Sequence, residues 1–456
     1  MRSVLLFVLP AAALVLSGCG SSIPAGGDAP FGTLPIRASG GARSYSKIRH
    51  VVIVIQENRS FDDFFATFPG ADGATEGLMK TSKGERKIKL VKAPADSNSL
   101  GHQHYSFEKE FDHGKMDGFN LVDRALSRGV KVPAGTYAYR YSDPKDVAPY
   151  WAIAKTYVLG DHMFPTQGSS SFTGHQDLIA GGTPVDGDNV IDFPSPASWG
   201  CDAKPGTVTS LITPEGKYLR EKGPFPCFTY ATLRDLLDQK GVSWLYYTNT
   251  TAGSLWNAFD AIRAVRYGNE WTANIVKPEK RFFAAISDHQ LPNVSWVIPD
   301  ALNSDHPGNH SDKGPSWVAS IVNAVGQSDY WNSTAIIVVW DDWGGEYDNV
   351  PPPQLDGQGL GMRVPMLLVS AYARENASGK PGWISRTRYE FGSVLKFVED
   401  TWHLGRLGTS DVRANGMMDC FDFGKPARPF VAIPAKYSKT YFEGQQPSGL
   451  PLDTDD

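Results

Sequence analysis

The chain has 456 residues, room for one large domain or two ordinary ones. Hydrophobic residues make up 41% and charged residues 20%, the composition of a globular protein with a sizeable core rather than of a disordered or fibrous chain. The formal net charge of -5, with no long basic run, argues against nucleic acid as a partner.

At the N-terminus, Met1-Arg2 supplies a positive start and Val4 to Leu16 an apolar run too short to span a bilayer comfortably. The run ends in Leu16-Ser17-Gly18-Cys19, which resembles the bacterial lipobox. Residues 1–19 are therefore expected to be a lipoprotein signal peptide with Cys19 acylated after cleavage, an ordinary cleaved signal being the alternative. Residues 20–46 are rich in Gly, Ser, Ala and Pro and read as a flexible tether. An exported protein follows, lipid-anchored to a bacterial membrane and facing the periplasm or the exterior. No later segment approaches ~20 consecutive apolar residues, so no membrane span is predicted in the mature chain.

Order is expected from about Ile48. Val51 to Ile55 is a continuous apolar, β-branched run, as a strand buried on both faces requires, and it runs into Gln56-Glu57-Asn58-Arg59-Ser60-Phe61-Asp62. Polar or Gly/Pro-rich stretches near 70–100, 183–226 and 350–362 read as long loops. His102-Gln103-His104 falls just after the first of these. An apolar stretch, Tyr157 to Gly160, precedes Gly168-Ser169-Ser170-Ser171-Phe172-Thr173-Gly174-His175, and a short helical pattern follows. Cys201 and Cys227 share one Pro/Gly-rich stretch, and export makes them the expected disulfide, with Cys420 left over.

Helical periodicity marks Thr232 to Gln239, Ser316 to Val325 and Ser393 to His403. Apolar strand signals mark Ser243 to Tyr247, Val294 to Ile298, Thr334 to Trp340 and Val364 to Ser370. Such alternation predicts an α/β sheet covered on both faces. After residue 425 the chain is Pro-rich and loses periodicity, which reads as a surface tail.

Ligands of open α/β sheets bind beyond the carboxyl ends of the strands. Two of the strongest strands end there in oxygen-bearing side chains, Glu57-Asn58 and Asp341-Asp342. Adjacent carboxylates in a cleft need a cation between them, and Glu, Asn and Asp are hard oxygen ligands suited to a divalent metal. Capping of the strand or of a following helix is the plainer use of the same residues. Ser171, ahead of the helical pattern, is a candidate nucleophile, its hydroxyl acidified by a helix dipole and a metal, although a serine run is more often a flexible loop. His102, His104 and His306 (in Asn303-Ser304-Asp305-His306-Pro307-Gly308) could donate hydrogen bonds to a phosphoryl group.

Together these segments resemble the bacterial phosphoesterase family that contains non-haemolytic phospholipases C and acid phosphatases of the respiratory-burst-inhibiting type. The matching stretches include HVVIVIQENRSFDDFF (50–65), GKMDGF (114–119), NVSWVIPD (293–300), NSDHPG (303–308), IIVVWDDWGGEYDNVPPP (336–353) and RVPMLLVSAYAR (363–374). They run in order over about 48–425. The resemblance implies a three-layer α/β/α, alkaline-phosphatase-like fold with a central, mostly parallel sheet, and a catalytic domain over 47–425 with a tail at 426–456. It implies one divalent ion (Ca, Zn, Mn or Fe) held by Glu57, Asn58, Asp341, Asp342 and the Ser171 oxygen, and hydrolysis of phosphate esters, phospholipid among them, through a phosphoseryl intermediate. His102 and His306 would contact the phosphoryl oxygens, with His104 a less fitting second choice for the first. The family's nucleophile lies in a Ser/Thr-x-Pro-Asn-His/Arg motif. Here Thr173 and Gly174 replace Pro and Asn, which leaves Ser169 and Ser170 as alternative nucleophiles. Other readings are a sulfatase-like hydrolase on the same fold and a surface lipoprotein that has lost catalysis.

Overall fold

The computed structural model describes residues 45–450, apart from 128, 187, 196–197, 249–254 and 377–381. The signal peptide, Cys19 and all but the last two residues of the tether therefore lie outside the described residues. Among those described, no helix is long and apolar enough to cross a membrane.

The strand signals assemble into one nine-stranded sheet. In chain order its strands are β1 (His50–Gln56), β2 (Val158–Phe164), β3 (Trp244–Tyr247), β4 (Ile275–Val276), β5 (Val294–Val297), β6 (Thr334–Trp340), β7 (Val364–Ser370), β8 (Trp383–Ser385) and β9 (Tyr389–Glu390). Their spatial order is β4-β3-β5-β1-β6-β7-β2-β8, with β9 also beside β2. Only β7 runs against its neighbours β6 and β2, and the other pairings are parallel. The runs 51–55, 334–340 and 364–370 are wholly buried, as strands covered on both faces must be.

The helices fall into two groups. Ala148–Thr156 packs on Gly314–Gly326, and Ser171–Ala180 packs on Phe391–Trp402 and Leu233–Lys240. The architecture is three-layered, α/β/α, as expected. A second, smaller hydrophobic cluster joins Leu100, Phe107, Phe119 and Tyr139 to Trp343 and Tyr347, over the segment that follows β6.

Two predicted loops carry structure. Residues 70–100 contain a hairpin of Glu76–Thr81 with Gly84–Lys89. Residues 183–226 contain a four-stranded antiparallel sheet of Pro184–Asp186, Asn189–Ser195, Val208–Ile212 and Tyr218–Leu219. Its strands are short and Pro194 sits at a register shift, so the alternation that would reveal them is broken. The Cys201–Cys227 disulfide closes this stretch, and Cys420 is free and buried.

The segment after residue 425, expected as a surface tail, lies against the domain. In it, Ile433 and Phe442 are buried, Asn323 exchanges two hydrogen bonds with the Ile433 backbone (2.8 and 2.9 Å), and the Ser448 amide donates to Asp300 (3.0 Å). Paired backbone groups and buried side chains dock this segment on the domain, although it has no periodic pattern to announce it.

Candidate active site and metal cluster

The register of β1 against β6 explains why residues almost 300 positions apart meet. Gln56 pairs with Trp340, so the two strands finish side by side and Glu57-Asn58 and Asp341-Asp342 emerge at one level. The Asn58 amide donates to Asp341 Oδ1 (2.9 Å). Asn58 itself takes a left-handed conformation, φ 55, which Asn tolerates better than most residues. Gly344, with φ +65, lies against it, and a β-carbon there would stand 2.4 Å from the Asn58 carbonyl oxygen.

Ser171 opens α1 (Ser171–Ala180), with Ser170 as its N-cap. The helix points its N-terminus at the ends of β1 and β6, where its dipole favours negative charge. Ser171 Oγ donates to Asp342 Oδ2 (3.0 Å) and accepts from Asn58 Nδ2 (3.2 Å). The same amide nitrogen, with two hydrogens to give, also lies 3.1 Å from each Asp342 oxygen and 3.0 Å from His102 Nε2. His102 Nδ1 donates to the Leu100 carbonyl (2.6 Å), which fixes the ring with Nε2 toward Asn58 and Asp342. Of the alternative nucleophiles, Ser169 is held by a hydrogen bond to Asp192, and Ser170 makes no side-chain cap bond.

His175 lies one helical turn from Ser171 and was not among the residues singled out from the sequence. Its Nε2 is 3.1 and 3.3 Å from the Glu57 oxygens and 3.7 Å from Asp341 Oδ2. Glu57, His175 and Asp341 each present a ligand atom within 4.8 Å of the others, and all three are buried. Two further buried oxygens, Asn58 Oδ1 and Asp341 Oδ2, accept no hydrogen bond among the described residues. A set of O and N donors with orphaned acceptors fits a divalent cation. The signal that could have found His175 is its spacing: positions i and i+4 share a helix face.

The other histidines stand further out. His306 Nδ1 donates to the Pro307 carbonyl (2.6 Å), and its ring is 5.9 Å from that of Trp256, which in turn stacks 6.5 Å from His175. Gln56 and Arg59 hold its segment through the Asn303 and Asp305 carbonyls (3.1 and 2.9 Å). His104 Nδ1 donates to the Gly168 carbonyl (2.7 Å) and so braces the serine loop. Beside it, where the Tyr218 ring comes within 5.5 Å, Gln103, Tyr105, Phe193 and Tyr218 line a cleft of about 510 Å³.

A model of the phosphoesterase family matches residues 48–405. Phospholipase C B of Mycobacterium tuberculosis (strain CDC 1551 / Oshkosh) is 25% identical over 452 residues, covering 84% of this chain and 79% of that protein. Non-hemolytic phospholipase C of Pseudomonas aeruginosa is 23% identical over 466 residues, covering 85% of this chain but 59% of that protein. Among solved structures, a protein of the alkaline phosphatase superfamily from Vibrio parahaemolyticus aligns at 11% identity and a TM-score of 0.40, over 83% of this chain and 73% of its own. The chain belongs to the phosphoesterase family, hydrolases of phosphate esters.

Proposed function

We propose that the chain is a metal-dependent phosphoesterase of the phospholipase C or acid phosphatase type, with Ser171 as nucleophile and a phosphoseryl intermediate. The observation that carries this is the Ser171 hydroxyl at a helix N-terminus, bonded to Asp342 and Asn58 beside the Glu57–His175–Asp341 cluster. Glu57, Asp341 and His175 would hold the cation, with Asn58 Oδ1 and Asp342 alongside. A divalent ion bound there supplies Lewis acidity, lowering the pKa of a hydroxyl and drawing off phosphoryl charge.

The chain's own groups then do the following. Asp342 Oδ2 accepts the Ser171 proton as Oγ forms its bond to phosphorus, and that proton passes to the leaving oxygen as its bond to phosphorus breaks, releasing the alcohol. The helix dipole and the Asn58 side-chain amide stabilise the negative charge that develops, and His102 and His306 would add to this when their Nε2 atoms are protonated. Water then attacks the phosphoserine and gives one proton, through Asp342, to the departing Oγ as phosphate or a phosphomonoester is released. Relatives named phospholipase C favour a phospholipid substrate, and an acylated Cys19 would hold the enzyme at a bacterial membrane surface, facing the periplasm or exterior. If so, Cys19→Ala moves the chain from the detergent to the aqueous phase on partition, and wild-type chain found in the aqueous phase rejects the anchor.

The test is hydrolysis of phosphatidylcholine, p-nitrophenyl phosphate and an aryl sulfate, with chelator and then with added divalent ions. Phosphate-ester turnover should need the ion, and Ser171→Ala should lose on the order of a thousandfold or more. Full turnover in that folded variant would move the nucleophile elsewhere.

A further inference from the structure

Far along the chain from the catalytic cluster, a small cavity of about 10 Å³ lies between Glu279, Asp300, Asn303 and the C-terminal residues Phe442 and Gln445. That is about the space one water or one ion occupies. Glu279 and Asn303 are 6% and 3% exposed. Three side-chain oxygens of the lining, Glu279 Oε2, Asn303 Oδ1 and Gln445 Oε1, are buried and accept no hydrogen bond among the described residues. Orphaned buried oxygens are costly, and three on residues that line one cavity call for a donor or a cation there.

Two carboxyls, of Glu279 and Asp300, and one ammonium, of Lys280, belong to the lining. Asp300 is anchored by Ser448 (amide 3.0 Å, hydroxyl 2.9 Å) and by the Leu302 amide (3.1 Å), so its carboxylate is fixed at the wall. The neighbouring Lys280 ammonium is engaged by the Glu443 and Gln445 carbonyls (2.9 and 2.7 Å) and ties the same C-terminal segment from its backbone side.

We propose that Glu279, Asn303 and Gln445, beside the Asp300 carboxylate, form a second cation site, made of oxygen alone and suited to calcium. Calcium takes oxygen ligands from carboxylates and amides in irregular geometry and completes its shell with water, whereas magnesium demands a stricter octahedron. The half-buried Gln445 and exposed Gln446 leave a way in. Occupancy would clamp residues 439–450 to the segment that carries Asn303 and, three residues on, His306. The site stands apart from the hydrolytic reading, since its ligands include neither the serine nor a histidine.

The full chain decides this by hydrogen exchange over residues 439–450 and by thermal midpoint, with calcium chloride against chelator. Calcium should slow exchange there and raise the midpoint. Glu279→Gln should weaken calcium affinity at least tenfold while keeping metal-dependent hydrolysis, and Asp341→Asn should lose hydrolysis while keeping the protection. Gln445→Met, at the cavity's rim, gives the same loss of protection with little risk to folding. Protection absent in wild type, or intact in both Glu279→Gln and Gln445→Met, overturns the site, and equal protection by magnesium overturns its assignment to calcium.

Discussion

One helical turn separates Ser171 from His175, and what fills that turn decides how close the helix can come to the acidic pair. Gly174 stands where related motifs carry Asn. A β-carbon built on it would lie 2.4 Å from the Asp341 carbonyl oxygen, a contact no side chain could relieve without moving backbone. The departure from the family motif thus goes with close docking of the helix on the end of β6, which carries His175 onto Glu57 and Asp341. If His175 is a ligand, His175→Ala should weaken metal affinity by at least ten- to a hundredfold, the range that loss of a supporting residue alone produces. Isothermal titration of the divalent ion measures this, and excess ion should restore part of the turnover. Unchanged affinity, with turnover lost at every ion concentration, would instead make His175 a group that only positions Glu57.

At the scale of elements, the strand β7 enters the sheet through a buried charge. Arg363, wholly buried just before it, makes a two-pronged pair with Asp348 (2.9 and 3.1 Å), stands 3.8 Å from Asp62, and donates to the Asp72 and Asp161 carbonyls. Burial and the nearby Asp348 hold the Asp62 carboxyl well above its ordinary range, and Arg363 pulls it back. Arg363→Met would leave two carboxylates buried without their cation, at a cost of about 3–5 kcal/mol. Arg363→Lys should recover only part of that, because an ammonium cannot reproduce the fork. Urea midpoints check both, and a loss below ~1 kcal/mol in Arg363→Met would mean that water reaches the cluster. The legibility of these elements follows the same physics. The runs 51–55, 334–340 and 364–370 were plain because strands covered on both faces are continuously apolar. The strand β2 was read only in part because Gly160-Asp161-His162 interrupts it. Asp161 is buried there paired with its neighbour His162 and with Arg386 and the Asp72 amide, the last two being partners no local pattern reveals. Glu57, Asn58, Asp341, Asp342 and Ser171 could be picked out as strand-end and helix-start residues, whereas the i, i+4 spacing only puts His175 on the face of Ser171, and how closely that face docks on Glu57 and Asp341 is set by contacts far along the chain.

Across the whole molecule, burial has raised several carboxyls: Asp305 to about 6, despite Tyr150 and Arg59, and Glu399 to about 7, with the Asp411 charge as second cause. A carboxyl raised on folding contributes stability that is complete below its unfolded pKa and is lost as pH rises through the folded value. Asp112, lowered to about 2 by its hydrogen bond from Lys80, works in the opposite sense but only at more acid pH. Stability should therefore decline between about pH 4.5 and 7 rather than peak there. Glu399 tests this without touching the candidate active site. Its oxygens are held by Arg406 (2.9 Å) and the Leu407 amide (3.2 Å), in the helix that packs on α1. Glu399→Gln removes its titration, and the partly exposed Arg406 pair is itself worth only about 0–1 kcal/mol. The shift of Glu399 corresponds to about 1–3 kcal/mol. The midpoint difference, variant minus wild type, should then be more positive at pH 8 than at pH 5 by about 1–4 °C, small because so long a chain unfolds with a large entropy. An equal difference at the two pH values would show that Glu399 is already ionised at pH 5 and that the ion pair with Arg406, not burial, sets its charge.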